Sequence, residues 1–304
     1  MEGRPPPYRP FRGALPPHFV DRSTDDLAIP GIVEASFAAF ANGPADPRFH
    51  RLVIAGAGMG KTALLRFVSQ EAEARLGWVS TFHRCGPKKS AIAVLPALVS
   101  ASLKRCRPAL APLLRSSADS SFWGQLHNLV RQCARSSQLN VPGLFIALDD
   151  ADLLGAGEVE SLGYLAQSLA REDLKVAIWM SVRPWLARRF ERGGHLPSSL
   201  WVTALSPLED TEAREAIVVP AADRGVEFEG RALKIACAAA SGSPLELQKV
   251  GFASWAAAGG RQTVRVGHVR QALAGEGSWP RKRRAPRRGR LLELRANIPT
   301  SLPA

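Results

Sequence analysis

A chain of 304 residues can hold one large domain or two ordinary ones, and its 46% hydrophobic content is that of a soluble globular protein. No run of about 18 uncharged apolar residues occurs, which argues against a membrane span. The formal charge of +13 favours polyanionic partners. Cys85, Cys106, Cys133 and Cys237 lie too far apart for a CxxC pair or a Cys/His cluster, so reduced thiols are expected rather than a disulfide framework or a zinc site.

The N-terminal stretch MEGRPPPYRPFRGALPPHF is rich in Pro and Arg and lacks the apolar core of a secretory signal, so the expected location is cytoplasmic. Residues 1–47 read as a lead-in segment with one helical stretch near Gly31 to Ala41. Short apolar runs and amphipathic segments then alternate. RLVIAG (51–56), WVSTFH (78–83), GLFIALDD (143–150), KVAIWMSV (175–182) and LWVTAL (200–205) have the length and punctuation of strands. Lys61 to Arg75, Ala91 to Lys104, Ser121 to Ser136 and Glu158 to Arg171 have helical periodicity. Such alternation, with nearly unbroken apolar strands, predicts an α/β fold: a parallel sheet covered on both faces over residues 48–206.

Beyond residue 206 the pattern changes. Asp210 to Ala222, Arg231 to Ala240 and Pro244 to Ala258 are helical, with no convincing strand among them, which predicts a small all-helical domain over 207–274. From 275 to 304 there are eight basic residues and two acidic ones, seven of the basic residues lying between Arg281 and Arg290. A pattern-free segment of that composition is expected to be disordered in isolation and suited to non-specific contact with nucleic acid, or else simply solvated.

The segment AGAGMGKT (Ala55, Gly56, Ala57, Gly58, Met59, Gly60, Lys61, Thr62) has the form of a phosphate-binding loop, with Ala55 where Gly is usual. Its glycines remove Cβ atoms so that backbone N–H groups can turn toward phosphates. Lys61 would neutralise the β- and γ-phosphates of ATP, the Thr62 hydroxyl would join a Mg²⁺ shell, and a helix starting at Lys61 would add its positive end. Asp149 and Asp150 stand at the C-terminal end of an apolar strand, where ligands gather in parallel sheets. Asp149 is the candidate to hold Mg²⁺ through water, and Asp150 the candidate to polarise an attacking water. Asp152 reads as a cap of the following helix. Ser181 and Arg183, two residues apart in SVRP, would point to one side of an extended strand and could sense a γ-phosphate.

Together these pieces resemble an AAA+/STAND-type P-loop ATPase of the additional-strand class, similar to bacterial and archaeal origin-recognition-like ATPases, over roughly His18 to Ala274. FVDR (Phe19 to Arg22) resembles the family's N-terminal box, with Asp21 in place of its Gly; that box normally packs near adenine. LDDADLL resembles the Walker B segment, and SVRP resembles sensor 1. Gly242-Ser243-Pro244 matches the Gly-x-Pro lid motif of STAND proteins, which implies that Pro244 lies against the nucleotide. Leu245 stands where AAA+ motors carry a sensor-2 arginine, and Arg188, Arg189 and Arg192 are arginine-finger candidates by position only.

The resemblance implies ATP/ADP as ligands, Mg²⁺ as cofactor and nucleotide-dependent self-association. The residues from about Gly275 are too few for the winged helix that relatives usually carry; they read either as the end of a lid-terminated variant or as out-of-frame sequence. The expected function is an ATP-binding switch with slow Mg²⁺-dependent hydrolysis. A nucleic-acid-binding protein that ATP only regulates is the alternative. A small-molecule kinase is disfavoured, because the helical domain follows the last strand.

Overall fold

The computed structural model describes residues 7–8, 19–22, 31–86, 91–106, 128, 131, 141–192 and 196–275. They form two compact units, one from the described residues of 23–56 and 64–204, the other from those of 1–22, 57–63 and 205 onward. The expected helix over Ser121 to Ser136 lies outside them apart from Asn128 and Arg131, and so does the basic stretch Arg281–Arg290.

In the first unit, helix α1 (Ile32–Asn42) precedes β1 (His50–Ile54). The alternation continues with α2 (Lys61–Leu76), β2 (Val79–Arg84), α3 (Ala91–Cys106), β3 (Leu144–Asp149), α4 (Ala156–Arg171), β4 (Val176–Val182), α5 (Pro184–Glu191) and β5 (Leu200–Ala204). The five strands are all parallel, in the order β2-β3-β4-β1-β5. Strand β4 therefore lies between β1, which leads into the glycine-rich loop, and β3, which ends in Asp149, the order expected of the additional-strand class. Every residue of β1, β3 and β4 is buried, as strands covered on both faces must be.

One side of this sheet is aromatic. Phe40 of α1 meets Phe49, Trp78, Phe145 and Trp179 at ring-centroid distances of 4.9–6.1 Å. The Trp179 indole donates to the Phe49 carbonyl (3.2 Å), and the buried Arg51 guanidinium lies 5.0 Å over its ring while donating to Thr203 Oγ1 (3.1 Å). A buried guanidinium between an aromatic face and a hydroxyl is stabilised where an unpaired charge could not be. Burial also pushes His50 down to about 4, so its ring is neutral near pH 7, with Nδ1 accepting from the Ile178 amide (3.2 Å). The remainder of the core is aliphatic, built from Leu52, Ile54, Val99, Leu103, Ile146, Leu162, Leu169 and Ile178 among others.

The second unit contains α6 (Asp210–Ala222), α7 (Gly230–Ala240), α8 (Pro244–Ala258) and α9 (Val266–Gly275). Helix α6 starts on a reciprocal cap between Glu209 and Glu212. The expected helices are present, but two short strands, β6 (Glu227–Phe228) and β7 (Thr263–Val264), also pair in parallel and tie the start of α7 to that of α9. Two residues of pairing leave no periodicity in a sequence. Tyr8 of the lead-in segment belongs to this core: its hydroxyl donates to the Ile217 carbonyl (2.8 Å), and its ring stands edge-on to Trp255 at 6.4 Å. Gly251 makes room for it, since a Cβ there would come within 2.7 Å of the tyrosine ring.

Among the described residues, no helix is long and apolar enough to cross a membrane.

Candidate nucleotide site

Strand β1 runs out at Ile54, and the Ala55 amide makes one more sheet bond, to the Val182 carbonyl (3.2 Å). The chain then turns through residues 56–60 before α2 opens at Lys61, the strand–loop–helix context that a phosphate loop requires. Gly58 (φ 78°) and Gly60 (φ 86°) occupy the left-handed region, which a side chain would strain. Lys61 is buried, and Thr62 follows it in the first turn of α2.

Three groups from the same compact unit as residues 57–63 meet this loop. The Leu245 amide donates to the Gly58 carbonyl (3.1 Å). Arg22 donates through Nη2 to the Met59 carbonyl and through Nη1 to the Ser206 carbonyl (2.7 Å). Pro244 lies 3.6 Å from where a Cβ on Gly60 would sit. Burial lowers the Arg22 pKa to about 10, with Glu212 and Asp21 opposing the shift, so the guanidinium stays charged at neutral pH. The Gly-Ser-Pro segment is held by an unusual backbone. Ser241 (φ 49°) and Gly242 (φ 73°) are both left-handed, and Ser243 caps α8, its hydroxyl facing the Glu246 amide at 3.4 Å.

At the end of the sheet, Asp149 is fully buried and its Oδ1 accepts from the Ser181 hydroxyl (2.7 Å). The Ser181 oxygen in turn accepts from the Asp150 amide (2.9 Å). Ser181 therefore gives its only proton to Asp149 and orients that carboxylate. Asp150 adopts a left-handed backbone (φ 55°), and its Oδ2 pairs with Arg84 Nε at 3.0 Å. Arg183, the N-cap of α5, sends its Nε to Asp152 Oδ2 (2.6 Å) and keeps its two terminal amino groups for other partners. Ser181 and Arg183 thus both reach the segment that follows β3.

Asp152 does not cap a helix, contrary to the sequence reading. It is buried in the 3-10 turn Ala151–Leu153, while Gly155 (φ 93°) precedes α4 as its N-cap without a side-chain bond. The turn carries Asp152 inward to Arg183 before α4 begins.

Arg84 was not anticipated, because only the β2–β3 register, which sets Arg84 opposite Asp149, brings it beside Asp150. Helix α5 was also missed. It is two turns long and opens on Pro184, a residue pre-set for a first helical turn. Cys85 is buried, and its thiol is pushed up to about 12 by burial and then by Asp149, Asp150, Asp152 and Glu158, so it is inert at neutral pH. No group of three or more His, Cys, Asp or Glu side chains among the described residues could hold a metal ion.

No protein-family model matches the sequence, and no curated protein matches it. Solved structures do match in fold. A Walker-type ATPase of Pyrococcus abyssi superposes with a TM-score of 0.54 at 15% identity, over 96% of this chain and 78% of that one. Cdc6p of Pyrobaculum aerophilum gives 0.52 at 14% identity, over 74% of this chain and 60% of that one, and a RuvB variant of Thermotoga maritima gives 0.52 at 13%, over 84% and 72%. This chain therefore spans about three fifths of the Cdc6p chain it matches. The fold is that of the AAA+ P-loop ATPases.

Proposed function

We propose that the chain is an ATP-binding switch of AAA+/STAND type with slow Mg²⁺-dependent hydrolysis, acting in the cytoplasm. The observation that carries this reading is the strand order β3-β4-β1. It gathers at the C-terminal ends of the central strands the start of the glycine-rich loop, the buried Asp149 and the Ser181 that orients it. Residues 48–206 are the proposed ATPase core, 207–274 the lid and 275–304 a basic tail.

Loop amides from Ala55 to Gly60 and the Lys61 ammonium would bind the phosphates, with Pro244 beside the nucleotide. Thr62 and Asp149 would hold Mg²⁺, which when bound offsets charge on the β- and γ-phosphates. Asp150 would align water and Arg183 would sense the γ-phosphate. Slow turnover follows from Asp150 having the shorter of the two carboxylate side chains and sharing it with Arg84. The absence of a sensor-2 arginine at Leu245 supports a switch rather than a fast motor.

Titration of the full chain with ATP and ADP tests the reading. Lys61→Ala is expected to weaken ATP binding by about 100-fold, the weight of a charge-assisted contact to phosphate. Affinity equal to wild type in that variant would count decisively against it.

A second reading, in which nucleotide governs attachment to nucleic acid, is favoured by α5. Trp185 is 42% exposed, and it shares one helical face with Arg188, Arg189 and Arg192, all exposed. Aromatic and guanidinium groups on one stripe suit stacked bases and phosphates. Replacing the three arginines by alanine should flatten the salt dependence of single-stranded DNA binding by up to about two counterions. An unchanged slope would remove the stripe from consideration.

A further inference from the structure

Arg22 and the Leu245 amide meet the loop through its carbonyl groups, which has a consequence for its amides. A trans peptide unit is planar, with its C=O and N–H pointing in opposite directions. Holding the Gly58 carbonyl therefore sets the direction of the Met59 N–H, and holding the Met59 carbonyl sets that of the Gly60 N–H. The Leu245 amide holds the first carbonyl, and Arg22 holds the second. Left unsupported, a loop with glycines at 56, 58 and 60 would sample many orientations of these peptide planes, and each would have to be frozen on binding.

We infer that Arg22 and the Leu245 amide are positioning groups for phosphate recognition, pre-orienting the Met59 and Gly60 N–H donors before a ligand arrives. The inference rests on the proposed nucleotide-binding role of the loop. Arg22 suits the task because its planar fork reaches two carbonyls at once, those of Met59 and Ser206. Its buried position holds the fork in place. Leu245 suits it because, as the second residue of α8, its N–H has no partner within the helix and is available to the loop. The two glycines complete the fit: a Cβ on Gly60 would come within 2.9 Å of Arg22 Nη2, and one on Gly58 within 3.1 Å of the Leu245 Cβ. These glycines are needed both for their left-handed backbone and for the close approach of the groups that grip them. In this chain the position that motors give to a sensor-2 arginine contributes a main-chain donor to the loop.

The experiment measures two things on the full chain. Calorimetry follows inorganic tripolyphosphate with Mg²⁺, and adenosine as a ligand without phosphates. Amide hydrogen exchange follows residues 58–61 without ligand. Arg22→Ala is expected to weaken tripolyphosphate binding by about tenfold or more, and adenosine binding by much less. It should also speed exchange at the loop. Arg22→Lys, which offers a point charge to one carbonyl, should fall between the two and serves if the alanine variant does not fold. Leu245→Pro removes the other donor at a position where a helix tolerates proline, and should give a similar selective loss.

Unchanged tripolyphosphate affinity in Arg22→Ala, or an equal loss for adenosine, overturns the inference. If the wild-type chain binds neither tripolyphosphate nor ATP, the nucleotide reading itself fails. Loop exchange then decides: faster exchange in Arg22→Ala upholds the positioning, and unchanged exchange refutes it.

Discussion

Gly242→Ala is expected to cost about 2–5 kcal/mol, a large part of the stability of a single domain. Two effects add. The residue sits at φ 73°, where an L side chain costs about 1–2 kcal/mol. A Cβ there would also lie 2.6 Å from the Leu208 carbonyl and 2.8 Å from the Pro207 Cβ. Neither neighbour can swing aside, because the Leu208 amide is bonded to the Gly242 carbonyl itself (2.8 Å). The chain must move, and with it the Ser243 cap of α8 and the Leu245 amide that meets the phosphate loop.

The neighbouring position should behave oppositely. Ser241 is also left-handed (φ 49°) but has a side chain, so Ser241→Gly is expected to stabilise by about 0.5–1 kcal/mol. Urea denaturation of the two variants checks both signs. A tolerated alanine at 242 would show that the lid backbone can relax around it.

Asp149→Asn is expected to leave the protein folded and to reduce Mg²⁺-dependent ATP turnover by about 100-fold or more. Asparagine keeps an Oδ1 acceptor for the Ser181 hydroxyl, so the hydrogen bond beneath the side chain survives and only the charge is lost. Ser181→Ala takes the complementary course. It keeps the carboxylate but removes the proton that orients it, and its loss of turnover should be smaller, about tenfold. Single-turnover kinetics at saturating Mg·ATP separates the two variants from changes in binding. Comparable rates for Asp149→Asn and wild type would remove Asp149 from the hydrolytic role.

Much of the sheet was legible because buried parallel strands must be apolar at nearly every position. GLFIALDD and KVAIWMSV could hardly be anything else, and β3 and β4 fall within a residue of the expected limits. Asp210 to Ala222 and Pro244 to Ala258 were equally plain, being bounded by caps and by glycine. Local signals failed where stability comes from across the structure. Two-residue strands β6 and β7 have no period of their own, and Tyr8 stands in a proline-rich stretch with no sign that it would be buried against Ile217 and Trp255. Asp152 looked like a cap, since nothing nearby in sequence announced that Arg183, 31 residues on, would draw it inward.

By itself the sequence determined the α/β class and the strand–loop–helix around residues 55–62, because both depend on periodicity and on residues within a few positions of one another. It also located Asp149 at a strand end. Tertiary structure alone decided the strand order that sets Ser181 against Asp149, and the register that sets Arg84 beside Asp150. The same is true of the hold that Arg22 and Leu245 have on the loop carbonyls, which involves positions 37 and 187 residues from those they grip. The physical reason is one of range. Propensity and pattern act within a turn or a strand, whereas hydrogen-bond partners far apart in sequence are chosen only when the chain closes on itself.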